Sequence, residues 1–103
     1  MGLRKAKALL VSALERGDFQ HELRDVQKET NLLALGEVSV AFVVRLIKGT
    51  RGQDYASSPH HADPSVEVHI FRPRVEEEDW YVKAYLSLDR SAVFISVHRS
   101  YPS

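Results

Sequence analysis

Apolar residues recur at helical spacing in the first half of the chain and alternate with polar residues in the second half. Between Leu3 and Leu14 they fall three or four positions apart, which predicts an amphipathic helix. Gly17 follows the last of them, and a glycine just past an apolar stripe is a common helix end. The chain is therefore expected to open with a helix that ends near Gly17.

Two further helices are predicted before the period changes. Asp18 is a suitable N-cap for a helix that closes at Gly36. Three residues at helical spacing would form the apolar face of that helix: Phe19, Leu23 and Val26. Ser39 is placed to cap a third, mostly buried helix that ends near Gly49, although its β-branched residues also allow a buried strand.

The second half of the chain predicts antiparallel strands. Three segments alternate between apolar and polar residues, "SVEVHIFRP", "WYVKAYLSL" and "AVFISVHR". Pro73 stops the first, because proline cannot continue a central ladder. The acidic run Glu76–Asp79 predicts a hairpin tip, and the segment from Gln53 to Ser57 is a candidate fourth strand.

Length and order of elements define the expected fold class. The chain has 103 residues, of which 44% are hydrophobic, as in an ordinary globular protein. A chain of this length is expected to form a single domain over residues 1–103. We expect an α+β fold in which N-terminal helices pack on a C-terminal antiparallel sheet of three to five strands.

Composition excludes several classes of function. Fourteen basic and fourteen acidic residues cancel, so bulk charge does not indicate a nucleic-acid binder. The absence of cysteine excludes disulfides, thiolate zinc sites and thiol catalysis. No apolar run reaches the roughly 20 residues that span a bilayer, and the first residues lack the apolar segment of a secretory signal. A cytoplasmic protein without membrane partners is expected.

Strand alternation divides the predicted sheet into an apolar and a polar face. The apolar face should bury Val66, Val68 and Ile70 of the first strand, Trp80, Val82, Ala84 and Leu86 of the second, and Val93, Ile95 and Val97 of the third. Phe71 and Phe94 would point to the opposite face, which displays Glu67, His69, Tyr81, Lys83, Tyr85, Ser96 and His98. A register slip of one residue would invert any of these assignments.

The polar face contains the groups that RNA cleavage without a metal requires. Histidine exchanges protons near neutral pH, so His69 and His98 are the candidate general acid and base, in either order. Tyr81 is placed to orient the phosphate or to assist proton transfer. Lys83 and Arg72 are the candidate cations that hold the charged phosphate.

Further residues are candidate contacts to the substrate. Arg74 adds a cation, and aromatic rings on such a face can stack on unpaired bases. The loop after the candidate fourth strand contains two adjacent histidines. This substrate-binding set is Arg72, Arg74, Tyr55, His60, His61 and Tyr85.

Three other interpretations are open. Tyrosines are common on exposed sheet faces for packing reasons alone, and His60-His61 can be ordinary turn residues. The same face could serve a non-enzymatic RNA- or protein-binding module. A third interpretation is a metal hydrolase that uses His60, His61, His69 and His98 with Asp63 or Glu67. Their spacing fits no usual metal motif, so no metal or other cofactor is expected.

Four segments together resemble a known family. They are "QDYASS" (53–58), "VHIFRPR" (68–74), "WYVKAYL" (80–86) and "VFISVHRS" (93–100). In order and spacing they are similar to the MqsR family of bacterial toxin–antitoxin toxins, relatives of the RelE-type mRNA interferases. The resemblance runs from the first helix to the last strand. It implies a microbial RNase-like (RelE-like) fold.

The resemblance also implies roles for individual residues. Tyr81 matches the active-site tyrosine of the family, and further matches are Tyr55, Lys83, Arg72 and Pro73. The family's loop lysine is Ala56 here, its strand glutamine falls at Val68, and its final-strand lysine aligns with His98. The implied function is an endoribonuclease toxin that cleaves single-stranded mRNA independently of the ribosome and is neutralised by a cognate antitoxin.

Overall fold

Two helices and a mixed β-sheet form the α+β fold of this computed structural model, which describes residues 1–22 and 30–100. The helices are α1 (Leu3–Glu15) and α2 (Val40–Lys48), and a short 3₁₀ turn spans Gly52–Asp54. The strands are β1 (Phe19–His21), β2 (Tyr55–Pro59), β3 (Glu67–Phe71), β4 (Arg74–Val75), β5 (Glu78–Leu86) and β6 (Ala92–Arg99). The expected α+β class is therefore confirmed.

Local sequence signals account for both helices. Gly17 follows the C-cap of α1 and has a φ of +73°. This left-handed conformation, which glycine adopts without strain, ends the helix. The Ser39 hydroxyl accepts a hydrogen bond from the backbone N–H of Phe42 at 3.0 Å, so the predicted N-cap of α2 is confirmed. Gly49 follows its last residue, as predicted. Neither of these described helices has the length and apolar character needed to cross a membrane.

The helix predicted to begin at Asp18 is wrong in its first turn. Residues 19–21 form β1, which runs parallel to β6 with Phe19 opposite Ala92. The carbonyl of Asp18 accepts the backbone N–H of Ala92 at 3.0 Å, so the sheet uses the group that would have opened a helix. Gly36 ends a short turn, with φ +75°. Two residues of the predicted apolar face, Leu23 and Val26, lie outside the described residues.

The sheet has the strand order β1-β6-β5-β3-β2, and β4 pairs with β5 beside this path. Every pairing is antiparallel except that of β1 with β6. The three predicted strands do pair antiparallel, as β3, β5 and β6. The prediction of a wholly antiparallel sheet of three to five strands was wrong, because the described sheet has six strands and a parallel edge. Glu76 and Glu77, with φ +55° and +65°, form the tip of the β4–β5 hairpin within the acidic run where a tip was predicted.

The face assignment of β3 was wrong by one residue. Phe71 is opposite Val82, and Val82 is opposite Val97, so these three side chains share the face that packs on the helices. Val68 and Ile70 consequently lie on the other face. Alternation favoured the face of Val68 and Ile70, because Phe71 shares its face with Glu67 and His69. The larger Phe71 ring nevertheless fills the main core at 0% exposure.

The face prediction for the first part of β6 was also wrong, because this strand contains a β-bulge. Lys83 is opposite Ser96 but Ala84 is opposite Phe94, so Ile95 is the extra residue between these pairs. The shift turns Phe94 into the core, where it is fully buried against Phe19. Ser96 and His98 remain on the face that was predicted to display them.

Candidate functional site

The outer face of the sheet, opposite the helices, holds most of the predicted polar set. Tyr81, Lys83 and Tyr85 of β5 lie on it, as the alternation predicted. His98 and Ser96 of β6 are the direct cross-strand partners of Tyr81 and Lys83. Directly opposed residues share a face, so all five side chains lie on this surface.

Tyr81, His98 and Arg72 form one contact group, which we call the Tyr81 cluster. The Tyr81 and His98 rings stack with their centroids 5.0 Å apart and an interplanar angle of 18°. The Arg72 guanidinium carbon lies 5.6 Å from the Tyr81 ring centroid. Tyr81 and His98 are half-buried and Arg72 is exposed, so the cluster is accessible from solvent.

A backbone contact orients the His98 ring. Nδ1 lies 2.8 Å from the carbonyl oxygen of Arg99, and only a protonated nitrogen can donate to a carbonyl. In the neutral ring the lone pair is therefore on Nε2. The half-buried His98 is thus held in the tautomer whose free nitrogen can accept a proton.

The centre of the outer face is less open than the alternation suggested. Ser96 is fully buried, and Val68 and Ile95 are each 1% exposed. Lys83 is half-buried beside them. The accessible chemistry is therefore divided between the two ends of the face.

Glu22, His60, His61 and Tyr85 form a second group at the other end, which we call the Glu22 cluster. The Tyr85 hydroxyl donates to Glu22 Oε1 at 2.7 Å, and His60 Nε2 lies 3.0 Å from the same oxygen. The His60 ring stacks on His61 at 4.7 Å and meets Tyr85 edge-on at 5.1 Å. Tyr81 and Tyr85 are four positions apart on β5, which corresponds to about 13 Å along the strand.

The sequence prediction missed Glu22. Glu22 fell within the helix predicted to begin at Asp18, where nothing in the local pattern distinguishes it. The residue reaches the outer face because β1 pairs with β6 and its own N–H donates to the Phe94 carbonyl at 2.9 Å. That long-range pairing leaves no signal in the residues around position 22.

His69 does not lie with the Tyr81 cluster, so its predicted place on that face was wrong. Tyr55, a predicted substrate contact, lies beside His69 instead. His69 is opposite Ala84, whose face is the helix side, and it is 1% exposed. Its Nδ1 lies 2.7 Å from the Tyr55 hydroxyl, and the two rings stack at 6.0 Å. His69 and His98 therefore cannot act as an acid–base pair on one substrate.

Burial of His69 should make the stability of the protein depend on pH. Burial lowers the pKa of His69 below its ordinary value of 6.5, and outweighs the opposing attraction of Glu67. Below about pH 6.5 the unfolded chain binds a proton at His69 that the folded protein does not bind. The free energy of unfolding therefore decreases as the pH is lowered, until the pH reaches the pKa of His69 in the folded protein. Well above pH 7 the residue is neutral in both states and contributes no slope.

The variant His69→Gln tests this pH dependence. Urea unfolding between pH 7.5 and 5.5 should give a smaller loss of unfolding free energy for the variant than for the parent protein. The difference has a limit of about 1.4 kcal/mol per pH unit for one proton. Burial also lowers the pKa of His21, so part of the slope remains in the variant. Equal slopes for the two proteins would contradict the interpretation.

Two other residues of the sequence prediction, Arg74 and Glu67, form ion pairs. Arg74 extends from the short strand β4 and forms an ion pair with Asp79 at 3.3 Å. Glu67, predicted on the polar face, instead binds the N-terminal ammonium group at 3.0 Å. Arg72, a predicted phosphate-binding cation, is thus the residue that contacts the Tyr81 ring.

No model of a known protein family matches this chain, and no curated protein sequence matches it.

Proposed function

We propose that this protein is a cytoplasmic endoribonuclease of the mRNA interferase type, which cleaves single-stranded RNA without a metal ion. The observation that carries the proposal is the Tyr81 cluster, a histidine, a tyrosine and an arginine in contact on one solvent-accessible strand face. These are the groups that proton transfer and phosphate binding require. The resemblance to the MqsR family supports the same reaction.

His98 would be the general base. Its Nε2 takes the proton of the ribose 2′-hydroxyl, and the freed oxygen attacks the adjacent phosphorus atom. The bond between phosphorus and the 5′-oxygen of the next nucleotide then breaks. The products are a 2′,3′-cyclic phosphate and a 5′-hydroxyl, so the reaction consumes no water at this step. The hydrogen bond from Nδ1 to Arg99 supports this role because it keeps the lone pair on Nε2.

Tyr81 would complete the proton transfer. The leaving 5′-oxygen requires a proton, and the Tyr81 hydroxyl is the other proton donor of the cluster. His69 is excluded from this step because it is buried on the opposite face. The general base would thus be His98 and the general acid Tyr81, in place of the two histidines expected from the sequence.

Arg72 and Lys83 would bind the phosphate. Arg72 is exposed and lies over the Tyr81 ring, so its guanidinium can reach an oxygen of a phosphate held there. Lys83 lies two residues along β5 on the same face. Negative charge develops on the phosphorus oxygens in the transition state, where preorganised cations are most effective.

The first experiment is incubation of the purified protein with a defined single-stranded RNA in excess EDTA. We expect cleavage, with fragments that carry 2′,3′-cyclic phosphate and 5′-hydroxyl ends. An inactive protein that still binds the RNA would support the alternative, a non-enzymatic RNA-binding module. Cleavage that EDTA abolishes and zinc restores would support a metal hydrolase and overturn the metal-free proposal.

The biological role has a separate test. As a toxin of a toxin–antitoxin pair, the protein should arrest bacterial growth when its expression is induced. A cognate antitoxin protein, encoded next to it, should relieve the arrest. Induction of the parent protein with no effect on growth or on mRNA half-life would contradict the toxin role but not the RNase chemistry.

A further inference from the structure

We infer that the Glu22 cluster is a binding site for a transition metal ion of the zinc class. One carboxylate oxygen of Glu22 and one ring nitrogen each from His60 and His61 lie within 4.8 Å of one another. Two histidines and one carboxylate are a ligand set that zinc uses in proteins, often with a fourth position open. The site is separate from the proposed RNase centre, and the inference does not depend on that function.

The distances are close to those of a metal site. Zinc binds histidine nitrogen and carboxylate oxygen at about 2.0–2.2 Å, so ligands in a tetrahedral site lie roughly 3.3 Å apart. His60 Nε2 lies 3.0 Å from Glu22 Oε1 and 3.3 Å from Oε2. The exposed His61 is the third member, and its ligand nitrogen lies within 4.8 Å of the other two ligand atoms.

The cluster also has the supporting contacts of a metal site. The Tyr85 hydroxyl donates to Glu22 Oε1 at 2.7 Å, which orients the carboxylate as an outer hydrogen bond does in known metal sites. His60 is 8% exposed, and its ring is held between His61 and Tyr85. Two of the three potential ligands, Glu22 and His60, are therefore held in position before an ion binds.

The hydrogen bonds of His60 define what changes on binding. The backbone N–H of Ala62 donates to Nδ1 at 3.0 Å, so the neutral ring carries its proton on Nε2 and donates it to Glu22. The metal ion takes the place of that proton. A neutral ring ligated through Nε2 carries its proton on Nδ1, so the Ala62 amide must turn away.

The location indicates what the metal would do to the fold. Glu22 follows β1 and the two histidines follow β2, and these strands are the opposite edges of the sheet path. The cluster joins these two edges across the outer face, above Tyr85 of the central strand β5. An ion bound there would cross-link the edges and stabilise the folded state by mass action.

Zinc titration by calorimetry at pH 7.5, on protein first stripped with a chelator, tests the inference. We expect one equivalent to bind, with a rise in the thermal unfolding midpoint and a shift of the Ala62 amide resonance. His61→Ala and Glu22→Gln should each weaken binding at least about 10-fold. His98→Gln, which removes a histidine from the other cluster, should bind zinc as the parent protein does.

Two results would overturn the inference. One is the absence of saturable zinc binding by the parent protein. The other is binding that persists unchanged in both His61→Ala and Glu22→Gln, which would place the ion elsewhere. Because His61 is exposed, its replacement should leave the fold intact. The RNase assay in EDTA is independent, so either proposal can fail alone.

Discussion

Replacement of His98 by glutamine is expected to slow RNA cleavage by roughly 10²- to 10⁴-fold, the range that general acid–base catalysis contributes. Glutamine retains a polar side chain of similar size that can still donate to the Arg99 carbonyl. It cannot accept and release a proton near neutral pH. Single-turnover cleavage of an end-labelled single-stranded RNA in EDTA measures the effect.

Two comparisons separate this loss from trivial causes. Leu88→Gln introduces the same residue at a fully exposed turn position and should cleave at the parental rate. RNA affinity of the His98 variant, measured by fluorescence anisotropy, should change far less than the cleavage rate. If the variant cleaves as fast as the parent protein, the base is another residue or the activity is a contaminant.

Replacement of Phe71 by alanine is expected to lower the free energy of unfolding by about 3–5 kcal/mol, as for other fully buried phenylalanines. Phe71 is 0% exposed and packs in the core formed by the helices and the sheet. The neighbouring Ile70 lies on the outer face opposite Lys83 and is half-buried. Ile70→Ala should therefore cost less than half as much.

The ranking of these two variants tests the register of β3. Had the strand packed as its alternation first suggested, Ile70 would be the costly position and Phe71 the tolerant one. Urea unfolding followed through Trp80, the only tryptophan, gives both free energies. If Phe71→Ala does not fold, Phe71→Leu supplies the smaller measurable loss. A larger loss for Ile70→Ala than for the Phe71 variant would contradict the observed register.

The candidate site was predictable only in part. Tyr81, Lys83 and Tyr85 alternate with Trp80, Val82 and Ala84, and this clear contrast places them on the outer face. His98 was also predictable, because the bulge lies between it and the start of β6 and leaves its pairing with Tyr81 intact.

The remaining site residues could not be placed in this way. His69 lies on a strand whose alternation favours burial of Val68 and Ile70, so the local pattern placed His69 on the wrong face. Its burial beside Tyr55 became evident only from the pairing of β3 with β5. Glu22 belongs to the site through a pairing between residues more than 70 positions apart. Such a contact depends on the whole sheet and not on the neighbouring sequence.

The sequence by itself determined the α+β order of elements, the cap of α2 at Ser39 and the antiparallel meander of the second half. These features depend on local spacing, capping and turn residues, which act over a few positions. Only the tertiary structure decided the parallel edge strand, the face of β3, the bulge in β6 and the separation of the histidines into different sites. Each of those features depends on which packing arrangement buries the large side chains best. That arrangement is set by contacts between residues far apart in the sequence, which the local pattern does not contain.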